Sequence, residues 1–448
     1  MSNTYGSSHY NSHNDGRSDY CGGNNPSGGR GRGGGRGRSG GGRGRSGGDS
    51  NVPQGLKALL HPCGHYTRGT CGHGNSCQFA HVVRLNKRLD ASNPVPPSSD
   101  PYQNNNNSQN NPTHAAVSAA SIWETHGGIK IITGSHDGFW RLWNTQGSTF
   151  TKEFEHNVGA GKVECLKVAS NFLFCGFEAT SSSLLGDTRV GMIHAWDLAN
   201  PTLPPLEFHM HPLTPYAHAM CVTQMHVYQG DTIISGDRSG VIRVWKYGEL
   251  GIFTVIKTMH GHAREVTGLA VVDHKLLWSC SIDGSIRLWD LTRGDCQYVI
   301  TKNTMTNGAP CGHSGAVTGL LRFDRPGASP FVLSSSLDGT IKAWNGANGE
   351  CVFSEDHQAG VVSMTLSQDL AYHPILIIGL VSGCIMVRNL VPTQKAPIFT
   401  LLLTLNPQFS TGHCGAVKTV TEGHPHTFYT GGADGKVLVF QITDDIGI

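Results

Sequence analysis

Hydrophobic and polar positions change texture near residue 113 of this 448-residue chain. Beyond that point, short runs alternate apolar and polar residues with a period of two and are broken by Gly, Asp or Ser. Strands produce that period, whereas helices repeat every 3.6 residues. One phrase recurs: DGFWRLW at 137–143, SGVIRVW at 239–245, DGSIRLW at 283–289, DGTIKAW at 338–344 and DGKVLVF at 434–440. Degenerate copies, VGMIHAW at 190–196 and SGCIMVR at 382–388, fill the gaps, and the copies lie 44 to 55 residues apart. A second phrase, His-x-x-x-Val, begins at His218, His262, His313, His357 and His413. Asp-Gly makes the hairpin between two strands tight. A four-stranded unit of this kind cannot bury its own faces, so the units stack radially. Seven copies over 113–448 predict an all-β ring of seven blades.

These repeats resemble those of the WD40 family, which implies a β-propeller. In that family a His, a Ser or Thr, the turn Asp and the Trp form a hydrogen-bonded tetrad in each blade. The resemblance implies tetrads of His262, Ser281, Asp283 and Trp289 in the fourth repeat, and of His313, Ser336, Asp338 and Trp344 in the fifth. The first repeat offers His114, Ser135, Asp137 and Trp143. The third exchanges two members, with Asp237 at the Ser position and Ser239 at the Asp position, and the sixth has Ser382 and Arg388 where Asp and Trp belong. A His/Asp/Ser set that recurs with every blade is architectural, because a catalytic set occurs once; no enzyme activity is expected. Ring closure is left open. Such rings usually borrow a last strand from ahead of the first repeat, and here an Asn/Pro tract, a poor strand former, stands there. Either a segment such as Val82–Leu85 supplies the strand or the seventh blade is thin.

Ahead of the ring the chain divides into a low-complexity tail (1–52), a Cys/His-rich segment (56–84) and a Pro/Asn-rich linker (88–112). With almost no aliphatic residues to offset backbone entropy, the tail is expected to be disordered. Cys63, Cys71, Cys77 and His81 are spaced C-x7-C-x5-C-x3-H. Three thiolates and an imidazole make a closed, structural Zn²⁺ site, in which no position is left for a catalytic water. A segment this short needs the metal to fold. The spacing resembles the CCCH finger family, and Tyr66, Gly69, Gly74 and Phe79 add to the match. That resemblance implies binding of single-stranded RNA, with Tyr66 and Phe79 as stacking platforms and Lys57, Arg68 and Arg84 meeting phosphates. In the tail, Arg30, Arg32, Arg36, Arg38, Arg43 and Arg45 sit among glycines, as in Arg-Gly-rich RNA-binding tails.

Charge points the same way. The net charge is only +2, but residues 1–90 carry twelve Lys/Arg against four Asp/Glu, about +8, leaving about −6 for the rest. A basic end on a mildly acidic body is expected to meet a polyanion. Ten of the thirteen cysteines are scattered singly, as in a reducing compartment, and no apolar run reaches the ~20 residues of a membrane span. The finger-then-propeller order resembles the plant zinc-finger-and-WD40 family, which implies a nucleic-acid-associated adaptor without chemistry of its own. An RNA-binding adaptor whose propeller recruits a protein is expected, in the nucleus and/or the cytoplasm with the nucleus favoured. The alternatives are a DNA-binding, transcription-associated factor and a ubiquitin-ligase substrate receptor; Trp196-Asp197-Leu198-Ala199 and Trp289-Asp290-Leu291-Thr292 lack the basic residue of the Trp-Asp-x-Arg docking motif. Insertions at Glu178–Arg189, Lys302–Pro310 and Pro392–Phe409 are candidate partner contacts.

Overall fold

The period-two runs form strands as expected, and these assemble into seven antiparallel four-stranded sheets plus one short hairpin. The computed structural model describes Thr67, residues 83–94 and residues 114–443, the last apart from 147–149, 160, 184–185, 212, 250, 307, 326, 392–397 and 424–425. In six blades the strands follow chain order from the inside out. The first comprises Val117–Thr125, Gly128–Ser135, Phe139–Asn144 and Thr151–Asn157; the fourth comprises Val266–Val272, Leu276–Ser281, Ile286–Asp290 and Cys296–Ile300. Outside blade two the Gly of the recurring phrase turns the hairpin: Gly240 and Gly284 have φ of 92° and 84°, a region that disfavours side chains.

The seventh blade is the exception. Its inner three strands are Val417–Glu422, Thr427–Gly432 and Lys436–Ile442, and its outer strand is Val83–Asp90. Val83 lies opposite Ile442 and Asp90 opposite Lys436. The ring is therefore closed by a full strand, supplied from next to the finger. Two expected boundaries move as a result. The propeller begins at Val83 rather than 113, and the 88–112 segment does not separate finger from propeller. Its first residues belong to the closing strand, and the remainder leads from blade seven into blade one, with Pro94 bridged to His114. The sequence VRLNKRLD masks the strand because it is an edge, where exposed charges are the rule. A chain shortened to start at 113 loses the buried Val83, Leu89 and Ala91. It is expected to melt at least 10 °C below one starting at 83 in thermal scans; equal melting would show closure to be dispensable.

The core lies between blades. Trp140 of blade one meets Trp196 of blade two at 5.6 Å between ring centroids, and Leu89 packs with Val117, Ile131 and Trp143 across the closing seam. A hydrogen bond from an inner strand to the next blade's backbone marks every junction. Ser118 donates to the Val163 carbonyl (2.5 Å), Cys165 to Val222 (3.8 Å), Thr223 to Val266 (2.7 Å), Thr267 to Val317 (2.6 Å), Thr318 to Val361 (2.9 Å) and Ser363 to Val417 (2.8 Å). Thr421 donates to Ala120 (2.9 Å), completing the circle. The inner strands enclose a central cavity of about 280 Å³.

The insertions take specific forms. Glu178–Arg189 extends the blade-two hairpin, whose strands Phe172–Ser183 and Gly186–Asp197 stay paired out to Ser183 and Gly186. Lys302–Pro310 carries the short hairpin Met305–Thr306/Ala309–Pro310. Much of Pro392–Phe409 is no insertion, since Leu401–Leu405 is the outer strand of blade six.

Candidate functional site

Full tetrads form in blades three, four and five, but the hydroxyl is not the one expected. In blade four the Trp289 indole donates to Ser279 Oγ (2.8 Å), which lies 2.7 Å from His262 Nε2, while His262 Nδ1 lies 3.2 Å from Asp283. A carboxylate only accepts, so Nδ1 carries the ring proton and Nε2 accepts the Ser279 hydroxyl. Blade five repeats the chain through Trp344, Ser334, His313 and Asp338, with distances of 2.8, 2.7 and 3.2 Å. Ser281 and Ser336 are therefore corrected to Ser279 and Ser334. All four lie on the tetrad-facing parity of their strands, but Ser281 and Ser336 sit at the turn. There each receives the backbone N–H of the turn Asp at 3.0 Å.

In blade three the exchange of Asp and Ser removes nothing. Asp237 reaches His218 at 2.9 Å, and Ser235 joins His218 (2.6 Å) to Trp245 (2.8 Å). Blade one departs from expectation: Arg141 takes Asp137 (2.7 Å), His114 faces the Ser92 carbonyl (3.0 Å), and Thr133 rather than Ser135 receives the Trp143 indole (2.9 Å). Blade seven keeps His413, Thr430 and Asp434, with Phe440 in the Trp place. Burial alone pushes the Asp283 carboxyl up. Hydrogen bonds from His262, Ser285 and the backbone of Ala263 and Ser285 outweigh it and hold the group well below the usual carboxylate range. Blade six has no tetrad: Ile378 stands at the hydroxyl position, and His357 is buried with neither ring nitrogen in hydrogen-bond geometry.

One residue from each blade stands at an equivalent point where the second strand reaches its turn. The N–H groups of His136, Glu178, Arg238, Ile282, Leu337, Val381 and Ala433 all donate to the carbonyl just ahead of their blade's inner strand. The first three are charged or titratable, and the last four are apolar. Arg238 gathers Glu164 (3.1 Å), Glu178 (3.4 Å) and Glu265 (3.7 Å), and His136 meets Glu164 at 3.2 Å. Opposite them, Leu337 and Val381 are each half exposed. This divided face escapes sequence reading because each blade supplies a single, variable residue; outside blade two, its only signal is the place immediately before the turn Asp or the Ser that stands for it.

The finger falls elsewhere. Cys63, Cys71, Cys77, His81, Lys57, Tyr66, Arg68 and Phe79, and the arginines at 30, 32, 36, 38, 43 and 45, lie outside the described residues. Thr67, between Tyr66 and Arg68, is buried. Arg84 is exposed on the closing strand. Among the described residues no group of His, Cys, Asp or Glu has the makings of a metal site. The donor set that fits zinc is the sequence's own Cys₃His.

Comparison with known proteins matches both parts. The model for the zinc finger C-x8-C-x5-C-x3-H type (and similar) matches residues 61–83, and that for the WD domain, G-beta repeat, matches 253–290 and 305–345. The first finger loop here is one residue shorter than the family's description. The two WD segments cover the blades that hold the two complete tetrads with the turn Asp in place. The chain is 26% identical to Protein ROOT INITIATION DEFECTIVE 3 of Arabidopsis thaliana over 59% of its own length and 54% of that protein's. It is 27% identical to Cell division control protein 4 of Saccharomyces cerevisiae, over 52% of this chain and 31% of that one. It thus spans about half or less of these two relatives. Over 85% of its length it is 24% identical to Zinc finger CCCH domain-containing protein 17 of Oryza sativa subsp. japonica, covering 72% of that protein. The finger match implies zinc binding, and the WD-domain match lies within the seven-bladed propeller, so the chain joins a CCCH-type finger segment to WD-type repeats.

Proposed function

We propose that the protein binds single-stranded RNA through one zinc-clamped finger and the Arg-Gly tail, and recruits a protein partner on the propeller. The observation that carries this reading is covalent. The finger match ends at Val83, the residue that opens the closing strand, so whatever the finger holds is carried by blade seven without an intervening linker. In the finger, Cys63, Cys71, Cys77 and His81 would hold one Zn²⁺, which when bound supplies the fold of a loop with almost no core. Tyr66 and Phe79 would stack on bases, at about 1–3 kcal/mol per base, while Arg68, Lys57 and the tail arginines neutralise phosphates. The short CCCH spacing offers no evident recognition helix in its sequence of the sort that enters a major groove, which favours RNA over duplex DNA. On the propeller, the divided face of His136, Glu178 and Arg238 against Leu337 and Val381 offers both ionic and apolar contacts to a peptide. The nucleus, with the cytoplasm, is the place we assign to such an adaptor.

Crosslinking of the full chain followed by sequencing of the bound nucleic acid tests the proposal. RNA is expected, with recovery reduced at least tenfold in Cys71→Ser. Undiminished recovery from that variant would remove the finger from the reading, and recovery of DNA instead would replace RNA as the ligand.

A further inference from the structure

The closing strand contains a bulge that re-aims a cation. Val83, Arg84 and Leu85 pair in regular register with Ile442, Gln441 and Phe440; Asn86 is then left over, and Lys87 pairs with Val439. Before the bulge, Val83 and Leu85 pack on the side of blade six, so Arg84 points toward the blade-one side. After it, Leu89 packs on the blade-one side, and Lys87, two residues away, shares that side with it. Without the extra residue Lys87 would face the other way. Bulges of this kind serve to redirect single side chains. Arg84 and Lys87 thus stand on one side, within about 10 Å along the strand. Among the described residues neither has a hydrogen-bond or ion-pair partner. The Asn86 amide donates to Gln441 Oε1 at 3.1 Å, holding two amides between them. Arg88, turned the opposite way, donates to the Ser410 carbonyl.

We propose that Arg84 and Lys87, with the amides of Asn86 and Gln441, form a phosphate-binding strip that receives a single strand of nucleic acid as it leaves the finger. The inference rests on the nucleic-acid reading above, and adds to it that the propeller itself contacts the ligand. Three features support it: two unpaired cations on one side, the amides between them, and a place only three residues beyond the last proposed zinc ligand, His81. Phosphate contacts of this sort position a strand without reading its sequence.

The test is the salt dependence of binding of a labelled 20-nucleotide random-sequence single-stranded RNA to the full chain. Each phosphate contact contributes about 0.7 to the log–log slope. The double variant Arg84→Gln/Lys87→Gln is expected to flatten the slope by about 1.4 and weaken binding roughly 25-fold at 0.1 M salt. Arg88→Gln is expected to keep the wild-type slope. An unchanged slope in the double variant overturns the strip, even if Cys71→Ser abolishes binding and so upholds the finger. Equal losses from Arg88→Gln also overturn it, since a diffuse basic edge would then suffice. If Cys71→Ser binds normally while the double variant flattens the slope, the strip stands and the finger reading falls.

Discussion

Ser279→Ala is expected to destabilise the propeller by about 4 kcal/mol, and Ser281→Ala by no more than about 1. Removing the Ser279 hydroxyl strands two buried groups at once, His262 Nε2 and the Trp289 indole N–H. Each costs about 1–3 kcal/mol when left unpaired inside a protein. Ser281 is also buried, but its bonds are to the Arg264 carbonyl and the Asp283 backbone at the turn. Ser334→Ala should parallel Ser279→Ala, because blade five repeats the same chain of bonds. Urea midpoints of the four proteins, taken with their m-values, would measure the contrast. If Ser281→Ala proved as costly as Ser279→Ala, the hydroxyl at the turn would be the true tetrad member and the assignment would fall.

Acid is the second expected weakness, and it acts earlier than the carboxylates would suggest. Burial, joined by the Arg388 charge, pushes His357 down to about 4, and the Glu355 backbone and the Asp356 charge offset only part of the shift. Burial also lowers His194 and His226 to about 4. An unfolded histidine takes up its proton near pH 6.5. Between 6.5 and 4 the unfolded chain therefore binds more protons than the folded one, so stability must fall as the pH drops through that window. A shift of this size corresponds to about 3 kcal/mol for His357 alone by pH 4. The tetrad aspartates, held low in the fold, lose their contribution only at still lower pH. Melting temperature should thus decline steadily from pH 6.5 to 4. His357→Leu, which fills the same space without a titrating group, should lessen the decline and raise stability at pH 5. A melting temperature flat over that window, or a variant with the wild-type slope, would show that His357 finds a proton-accepting partner when charged.

Much of the architecture was legible because a propeller repeats its signals. Period-two runs and the Asp-Gly turn occur blade after blade, so the degenerate second and sixth repeats could be placed by their neighbours; both form complete sheets. The tetrad hydroxyl was misplaced for a physical reason. Serines at 279 and 281, and again at 334 and 336, share one face of a strand, and only their distance from the turn tells them apart. The third blade shows the converse, in which an Asp displaced by two residues still reaches its histidine through the same parity. The closing strand was harder to read. Its alternation is broken by the bulge at Asn86, and its charges, normal for an exposed edge, look like the end of a basic binding segment. For the finger, ligand types and spacing are local in sequence, so a family match could follow from a few residues.

The closing strand also fixes an order of events during synthesis. Val83–Asp90 leaves the ribosome long before its partner, Lys436–Ile442, has been translated. At roughly 5–20 residues per second the wait lasts tens of seconds. Through that interval Val83, Leu85 and Leu89 have no mate, and the six finished blades present an open edge at each end of an incomplete circle. Messages that stop early, or ribosomes that stall late, would release arcs rather than rings, with sticky flanks where blade seven should be.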